Sequence, residues 1–467
     1  MKEKKKEKTY RNLMDRALEI ALRSGADHVE VFISDSRSLT VSVHERDVDA
    51  VNAAHETGMG IRLIQDGKMA SGFTNDLSPK AVTPLITELL KRVPYHSPSE
   101  SHIIPTKGAD YFPDQDPLCT ESVSYDPQME AIAIDEKINK AIEMETAALE
   151  FSPEIKGTLS AVYRDHTDYF YIANSNNICS HFPLSGCTGS ITVSASNGND
   201  TQSGSCSASH VHLSDLNPRN IGRQAAAKAR RILGARPIPN CQIPAIIAPD
   251  VASECLSCLS GMLSADWIHK GKSPFAGKFG TCVASPIVTL IDDGKRKNGL
   301  ATRPVDGEGV PQQTTVLIRN GLLTHFLYDA GTAKKDGTTS TGNRLLGNYQ
   351  RQEGIRHTNL FIEPGQTEVS SLIAGMDRGF YLNHAIGLQA GINPITGDFS
   401  FPVKGFMIEK GAITFPVQGI GVSGNLLTLL RSITGVASDL QWFAGIGCPT
   451  LFVSNVQLWG SKIKSSF

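Results

Sequence analysis

The sequence has no uninterrupted apolar run near the ~18 residues that a bilayer-crossing helix needs. It also lacks an excess of either charge. Lys plus Arg number 45 against 47 Asp plus Glu, a net charge of −2, without the basic surplus of a general nucleic-acid binder. Nine cysteines, odd in number and irregularly spaced, argue against a disulfide framework and for free thiols in a reducing compartment. The charge run Met1 to Lys8 is not followed by an apolar segment, the wrong pattern for a secretory signal. It reads as a solvated tail over residues 1–9, with anion binding as the alternative. These absences point to a cytoplasmic protein with no membrane contact and no direct nucleic-acid role. At 467 residues the chain can bury more than one core, which favours two or three domains.

Complete catalytic sets are also missing. His44-Glu45 and His55-Glu56 begin a zincin pattern, but Val48 and Met59 occupy the places of the second histidine, and both pairs sit in strand-like sequence. Cys255 and Cys258 form a lone C-x-x-C with Asp266 and His269 further along; on one continuous helix Cys255 and His269 stand about 20 Å apart, too far for one metal. The cysteines read instead as small apolar thiols facing a core. His210 and His212 share a strand face without a third ligand. "GKSPFAGKFG" has Ala276 and Phe279 where a phosphate loop needs Gly and a hydroxyl. Gly419, Gly421 and Gly424 form a true G-x-G-x-x-G with Asp439 downstream, yet no second parallel strand delivers that Asp. No G-x-S-x-G elbow is present.

The periodicities predict an α+β fold. Leu13, Ala17, Ile20 and Ala21 mark a helix over Tyr10 to Arg23, stopped by Ser24-Gly25. Successive strands follow, alternating at Val29, Val31 and Ile33 and again at Leu39, Val41 and Val43, with a hairpin at Asp66-Gly67 and a helix over Leu77 to Arg92. A connector at about 95–118 is rich in Pro, Ser and Asp. Next come a helix of roughly Met129 to Glu150, strands around an Asn-rich turn, a hairpin at Asn197-Gly198, and a helix ended by Gly234. The proline-punctuated "RPIPNCQIPAIIAPD" places the main division near residue 240. Residues 10–240 are then an N-terminal sheet-and-helix domain, and 241–467 a β-rich domain with a few helices, with turns at Asn320-Gly321 and Lys410-Gly411.

The segments "KGKSPFAGKFGTCVASPIVTLIDDG", "STGN" (340–343), "TNLFIEPG" (358–365), "GINPITGDFSF" (391–401) and "SGNLLTLLRSI" (423–433) together resemble the TldD/PmbA family, and specifically its PmbA (TldE) branch. "GMGIRLIQDGKMASGFTNDLSP" near the N-terminus is similar to the family's opening sheet. In the TldD branch, the resemblance implies, the helix before the "KGKS"-like loop carries an H-E-x-x-x-H zinc motif, and a later cysteine completes the site. Counting back from Gly271, those positions fall on Leu256, Ser257 and Gly261 here, none of which can hold zinc or act as a base. Cys448 does not match the family's ligand cysteine.

The resemblance implies a chain without its own cofactor, with zinc expected only in a TldD-type partner, in a cytosolic peptidase acting on unfolded or extended peptides. The family is also described as a modulator of DNA gyrase, which no residue here explains. The alternatives are a stand-alone homodimer that captures peptides without cutting them, and an enzyme of unrecognised chemistry using the Gly419 turn. Turn and strand-edge backbone in "STGN" and "GINPITGDFSF" suits an extended peptide, which nominates Thr341, Asn343, Asn393, Thr396 and Asp398 as groove residues. Each could equally be a turn-former satisfying local backbone groups.

Overall fold

The computed structural model describes residues 2–106, 124–350 and 354–460. The connector expected at about 95–118 lies, from residue 107 on, outside the described residues. The N-terminal half comprises α1 (Lys2–Arg23), β1 (His28–His44), β2 (Asp47–Gln65), β3 (Lys68–Thr74), α2 (Pro79–Arg92), α3 (Ile134–Leu149), β4 (Ile155–Asn174), β5 (Cys179–Ser196), β6 (Thr201–His210) and α4 (Pro218–Arg231). Its six strands form one antiparallel sheet in the order β3-β2-β1-β4-β5-β6. The strands are long: the 20 residues of β4 span about 65 Å at the usual strand rise.

That length gives one sheet two helix-covered cores. α1 and α2 cover one end, where Leu13, Met14, Ala17, Ile86 and Leu89 meet Val29, Val31, Ile33, Ile61 and Leu63. α3 and α4 cover the other, where Ala141, Met144, Ala225 and Ala229 meet Leu39, Val41, Val43, Tyr163 and Ile191. β1 runs through both as a single strand, not as successive ones, because its apolar residues keep odd-numbered phase across Asp35 to Ser38. The close seat of α4 on α3 requires Gly222, whose added Cβ would lie 2.1 Å from the Met144 carbonyl oxygen.

The N-terminal charge run differs from expectation. α1 begins at Lys2, not Tyr10, and Lys6 pairs with the buried Asp35 while Glu7 approaches His181 at 3.3 Å. The third helix begins at Ile134 rather than near Met129. Hairpin turns stand where expected: Asp66-Gly67, Asn320-Gly321 and Lys410-Gly411 all have two successive positive φ values, the I′ signature that matches strand twist.

The C-terminal half comprises β7 (Cys241–Ile247), α5 (Pro249–Met262), α6 (Ala265–His269), β8 (Leu290–Asp293), β9 (Thr314–Arg319), β10 (Leu322–Leu323), α7 (Ala330–Lys335), β11 (Leu360–Ile362), α8 (Val369–Ala374), β12 (Arg378–Ala385), β13 (Asp398–Glu409), β14 (Ala412–Asn425), α9 (Leu426–Arg431), β15 (Ile433–Val436), β16 (Gln441–Phe443), β17 (Ile446–Cys448) and β18 (Leu451–Gly460). Two six-stranded sheets result, β10-β9-β8-β11-β17-β16 and β14-β13-β12-β7-β18-β15. Their apolar faces share one core with α5, which contributes Val251, Ala252, Leu256, Leu259 and Met262 beside Leu360, Ile446 and Cys448 of the first sheet and Ala245, Phe380 and Val453 of the second.

The two halves meet over the face of the N-terminal sheet opposite α1 and α2. Phe32, Phe170, Ile172 and Phe182 pack there against Val305, Leu346 and Tyr349. No helix among the described residues is long and apolar enough to cross a membrane.

Candidate functional site

α5 has two faces. Leu256 and Leu259 are 2% and 3% exposed, whereas Ser257, Cys258 and Gly261 are half-open and Glu254 is exposed. Nothing lies within 4 Å of where a Gly261 side chain would begin, so this stripe borders open space. The donors a metal needs are not gathered here. Leu256 points into the core, Ser257 is a hydroxyl and Gly261 is bare. Among the described residues no three His, Cys, Asp or Glu side chains group as a metal site.

Cys255 lies on the buried side of α5; burial, then Cys258 and Glu254, pushes its thiol up to about 12. Cys448 is likewise raised by burial, and next by Cys255. Both therefore stay protonated near neutral pH, as poor nucleophiles and poor ligands. α5 and α6 are separate helices, with Ser264 capping α6 through the Trp267 N–H, so the single-helix distance does not apply. His269 instead pairs with Asp336 at 2.7 Å. The G-x-G-x-x-G glycines lie inside the antiparallel strand β14 and face rings: a Cβ on Gly421 would meet the Trp459 indole and one on Gly424 the Phe399 ring. Gly421 and Gly424 are packing glycines, whereas Gly419 has a positive φ of 68°.

Two of the five groove candidates enter a buried polar cluster beside the C-terminal end of α5. Leu327 N donates to the Leu263 carbonyl, and the next residue, Tyr328, donates its N–H to Thr341 Oγ1 at 2.8 Å. Two residues on, Asn343 Nδ2 donates to Asp292 Oδ2 at 2.7 Å and to the Arg356 carbonyl at 3.0 Å. Asp292 Oδ1 accepts the Thr358 N–H at 2.6 Å. Burial pushes the Asp292 carboxyl up to about 6 against those donors.

The other three sit in a separate turn. Asn393 Oδ1 accepts the Ile395 N–H at 2.9 Å, Thr396 Oγ1 accepts the Asp398 N–H at 3.2 Å, and Asn425 Nδ2 donates to Asp398 Oδ1 at 2.9 Å. Asn425 and Thr396 hold the Asp398 carboxyl below its ordinary range. Among the described residues no side-chain hydrogen bond joins this turn to Thr341 or Asn343, and each member has a local structural task.

Charged residues not singled out in the sequence complete the polar centre. Glu308 accepts from Arg62 of β2 at 3.0 Å and from the Ala330 N–H at 3.0 Å. Arg344 pairs with Asp329 at 2.9 Å. Asp306 accepts N–H groups of Glu308, Val310 and Arg344, and burial, then Glu308, pushes it up to about 8. Arg303 and His357 are half-buried beside these acids. The acids of "VDGEGV" and the pair Arg356-His357 ahead of "TNLF" were the available signals, but no periodicity ties them together.

Family models cover most of the chain: a PmbA/TldA metallopeptidase domain 1 over residues 29–92, a central domain over 128–233 and a C-terminal domain over 240–460. The chain belongs to the PmbA/TldD family. Among its relatives, the metalloprotease PmbA of Escherichia coli O157:H7 is 25% identical, over 96% of this chain and 97% of its own. A metalloprotease TldD homolog of Haemophilus influenzae is 36% identical over 40% of this chain and 38% of its own. A crystal structure from Thermotoga maritima, carrying a DNA-gyrase-modulator description, superposes with a TM-score of 0.87 at 27% identity, covering 96% of this chain and all of that one. TldE from Thermococcus kodakarensis, 23% identical with a TM-score of 0.85, shares the fold. The first two matched domains of this family build the single N-terminal sheet together, since β1 to β3 come from one and β4 to β6 from the other.

Proposed function

We propose that this chain is the non-catalytic, PmbA/TldE-type subunit of a cytosolic peptidase whose zinc is held by a TldD-type partner, and that it completes a cavity for unfolded or extended peptides. One observation carries the reading. At the helix positions where the resemblance puts ligand, base and ligand, this chain has Leu256, Ser257 and Gly261, and the first is committed to the core. A leucine side chain offers no metal donor in any rotamer, and a glycine brings no side chain at all. The partly exposed stripe along Ser257, Cys258 and Gly261, with open space beside Gly261, supports this reading by leaving room for a cavity there. Thr341 and Asn343 hold the backbone at its edge, and Asn393, Thr396 and Asp398 shape a second turn whose main-chain groups suit an extended peptide.

Relatives of both TldD and PmbA names agree with a two-chain assembly. Paralogous subunits pair through surfaces related to those of homodimers, so the isolated chain is expected as a dimer and the mixture as a heterodimer. Light scattering on each chain and on an equimolar mixture tests this. A particle that stays monomeric at micromolar concentration in both settings contradicts it.

A further inference from the structure

The acids of the polar centre are all engaged, while a group of cations beside them is not. Asp306 takes three backbone N–H groups and Asp292 takes Asn343 and the Thr358 N–H. Arg303 approaches both acids without an ion pair to either, and its Nε is buried with no protein partner among the described residues. His357 Nδ1, Asn343 Oδ1 and Thr358 Oγ1 are buried in the same condition. Arg356, exposed and next to His357, makes no ion pair among the described residues. Chain geometry brings them together: the Arg356 N–H donates to the Asn343 carbonyl at 2.9 Å, and Asn343 reaches Asp292 behind.

Arg303 and Arg356 repel one another, with only the already hydrogen-bonded Asp292 and Asp306 near Arg303, and unpartnered buried polar atoms cost stability. Arg356 and Arg303 both act on His357, and together with burial they depress its imidazole to about 4, so that it is neutral at physiological pH. An arriving anion would relieve that repulsion. A guanidinium offers a planar fork suited to a carboxylate. The nearby Asp292 and Asp306 disfavour a doubly charged ligand such as phosphate. Asn343 Oδ1 and Thr358 Oγ1 remain as acceptors for an N–H adjoining the bound anion.

We propose that Arg303, Arg356 and His357, backed by Asn343 and Thr358, form a receptor for a singly charged carboxylate, the free C-terminus of a peptide. The proposal rests on the peptide-handling reading above, and gives the chain its own role in that function: it recognises a chain end. Arg356, on the solvent side, meets the ligand first, and Arg303 holds it.

The test uses the isolated full chain, so its outcome is independent of assembly or cleavage. Acetyl-Gly-Ala-Ala with a free carboxylate, its C-terminal amide, acetyl-Asp-Ala-Ala amide and inorganic phosphate are titrated by calorimetry, while the His357 imidazole is followed by NMR. The expected result is binding of the free acid at least tenfold tighter than of the amide, with a raised His357 titration midpoint in the complex. Arg303→Met abolishes the preference, and Arg356→Gln, at an exposed position, weakens it without unfolding the chain. Tighter binding of the Asp-containing amide would move the ligand from a chain end to a side chain and overturn the proposal. So would equal binding of acid and amide, binding of phosphate alone, no binding of any probe, or an unchanged preference in Arg356→Gln.

Discussion

Arg62 of the N-terminal sheet donates through Nη2 to Glu308 of the C-terminal half at 3.0 Å, and both side chains are buried. Glu30 takes the same nitrogen at 2.9 Å. Burial works to lower the Arg62 guanidinium, but Glu30 and Glu308 hold it above its ordinary value. This ion pair ties strands β1 and β2 to the loop that carries the polar centre.

Removing Glu308 leaves the buried Arg62 to Glu30 alone and the Ala330 N–H without its acceptor. Glu308→Ala is expected to cost about 3 kcal/mol, the low end for a broken buried pair, because Glu30 still neutralises Arg62. Glu308→Gln keeps acceptors for Arg62 and the Ala330 N–H and is expected to cost less. Urea unfolding of the two variants checks the order; equal stabilities would show that the acceptors kept by Gln contribute nothing and that the charge carries the whole effect.

The seat of α4 is testable at one atom. Gly222→Ala would place its Cβ 2.1 Å from the Met144 carbonyl and 3.0 Å from the Ala148 nitrogen. Backbone cannot yield cheaply, so an overpacking loss of about 1–3 kcal/mol is expected. Gly198→Ala has open space around it but a φ of +92° and serves as a strain-only control. Thermal melts followed by circular dichroism separate the two.

His357 gives a pH dependence with a definite sign. Its pKa is depressed in the folded chain to about 4 by burial, then by Arg356 and Arg303, so the unfolded chain binds more protons between about pH 6.5 and 4. Its contribution is present above the unfolded pKa and lost as pH falls through that window. Asp292, raised by burial to about 6, acts oppositely, contributing below about pH 4 and losing that as pH rises. The comparison is therefore with His357→Gln: wild type should lose about 1–3 kcal/mol more than the variant on acidification from pH 7 to 4. Parallel profiles would remove His357 from the account.

How much of this was legible in the sequence varied with the source of each constraint. The turns at Asp66-Gly67 and Asn320-Gly321 carry their own chemistry and were read directly. The β1–β2 turn at Glu45-Arg46 was not, although both residues also have positive φ. Its N–H groups are pinned by Glu145 of α3, at 3.1 and 2.5 Å, a partner a hundred residues away. The unbroken β1 was recoverable from the constant phase of its apolar residues, but the polar stretch Asp35 to Ser38 imitates a turn. Thr341 and Asn343 were found through a motif. Arg303, Glu308 and His357 were not, because their neighbours come from β2, β8 and three loops, and no local pattern records a site assembled that way.

Metal content follows from the donor set on α5. The dialysed, isolated chain is expected to contain well under one zinc per chain by elemental analysis, since Leu256 and Gly261 supply no donor and burial keeps the thiols of Cys255 and Cys448 protonated. One zinc per chain, lost in a Cys255→Ser, Cys448→Ser double variant, would put a metal site between α5 and β17.

Cleavage of an unstructured peptide by this chain alone, by a TldD-type chain alone and by the two combined tests the central claim most directly. The account predicts no cleavage by this chain alone, full activity from the combination, and undiminished activity of the combination when Ser257 is replaced by Ala. Chelator-sensitive cleavage by this chain alone would contradict it.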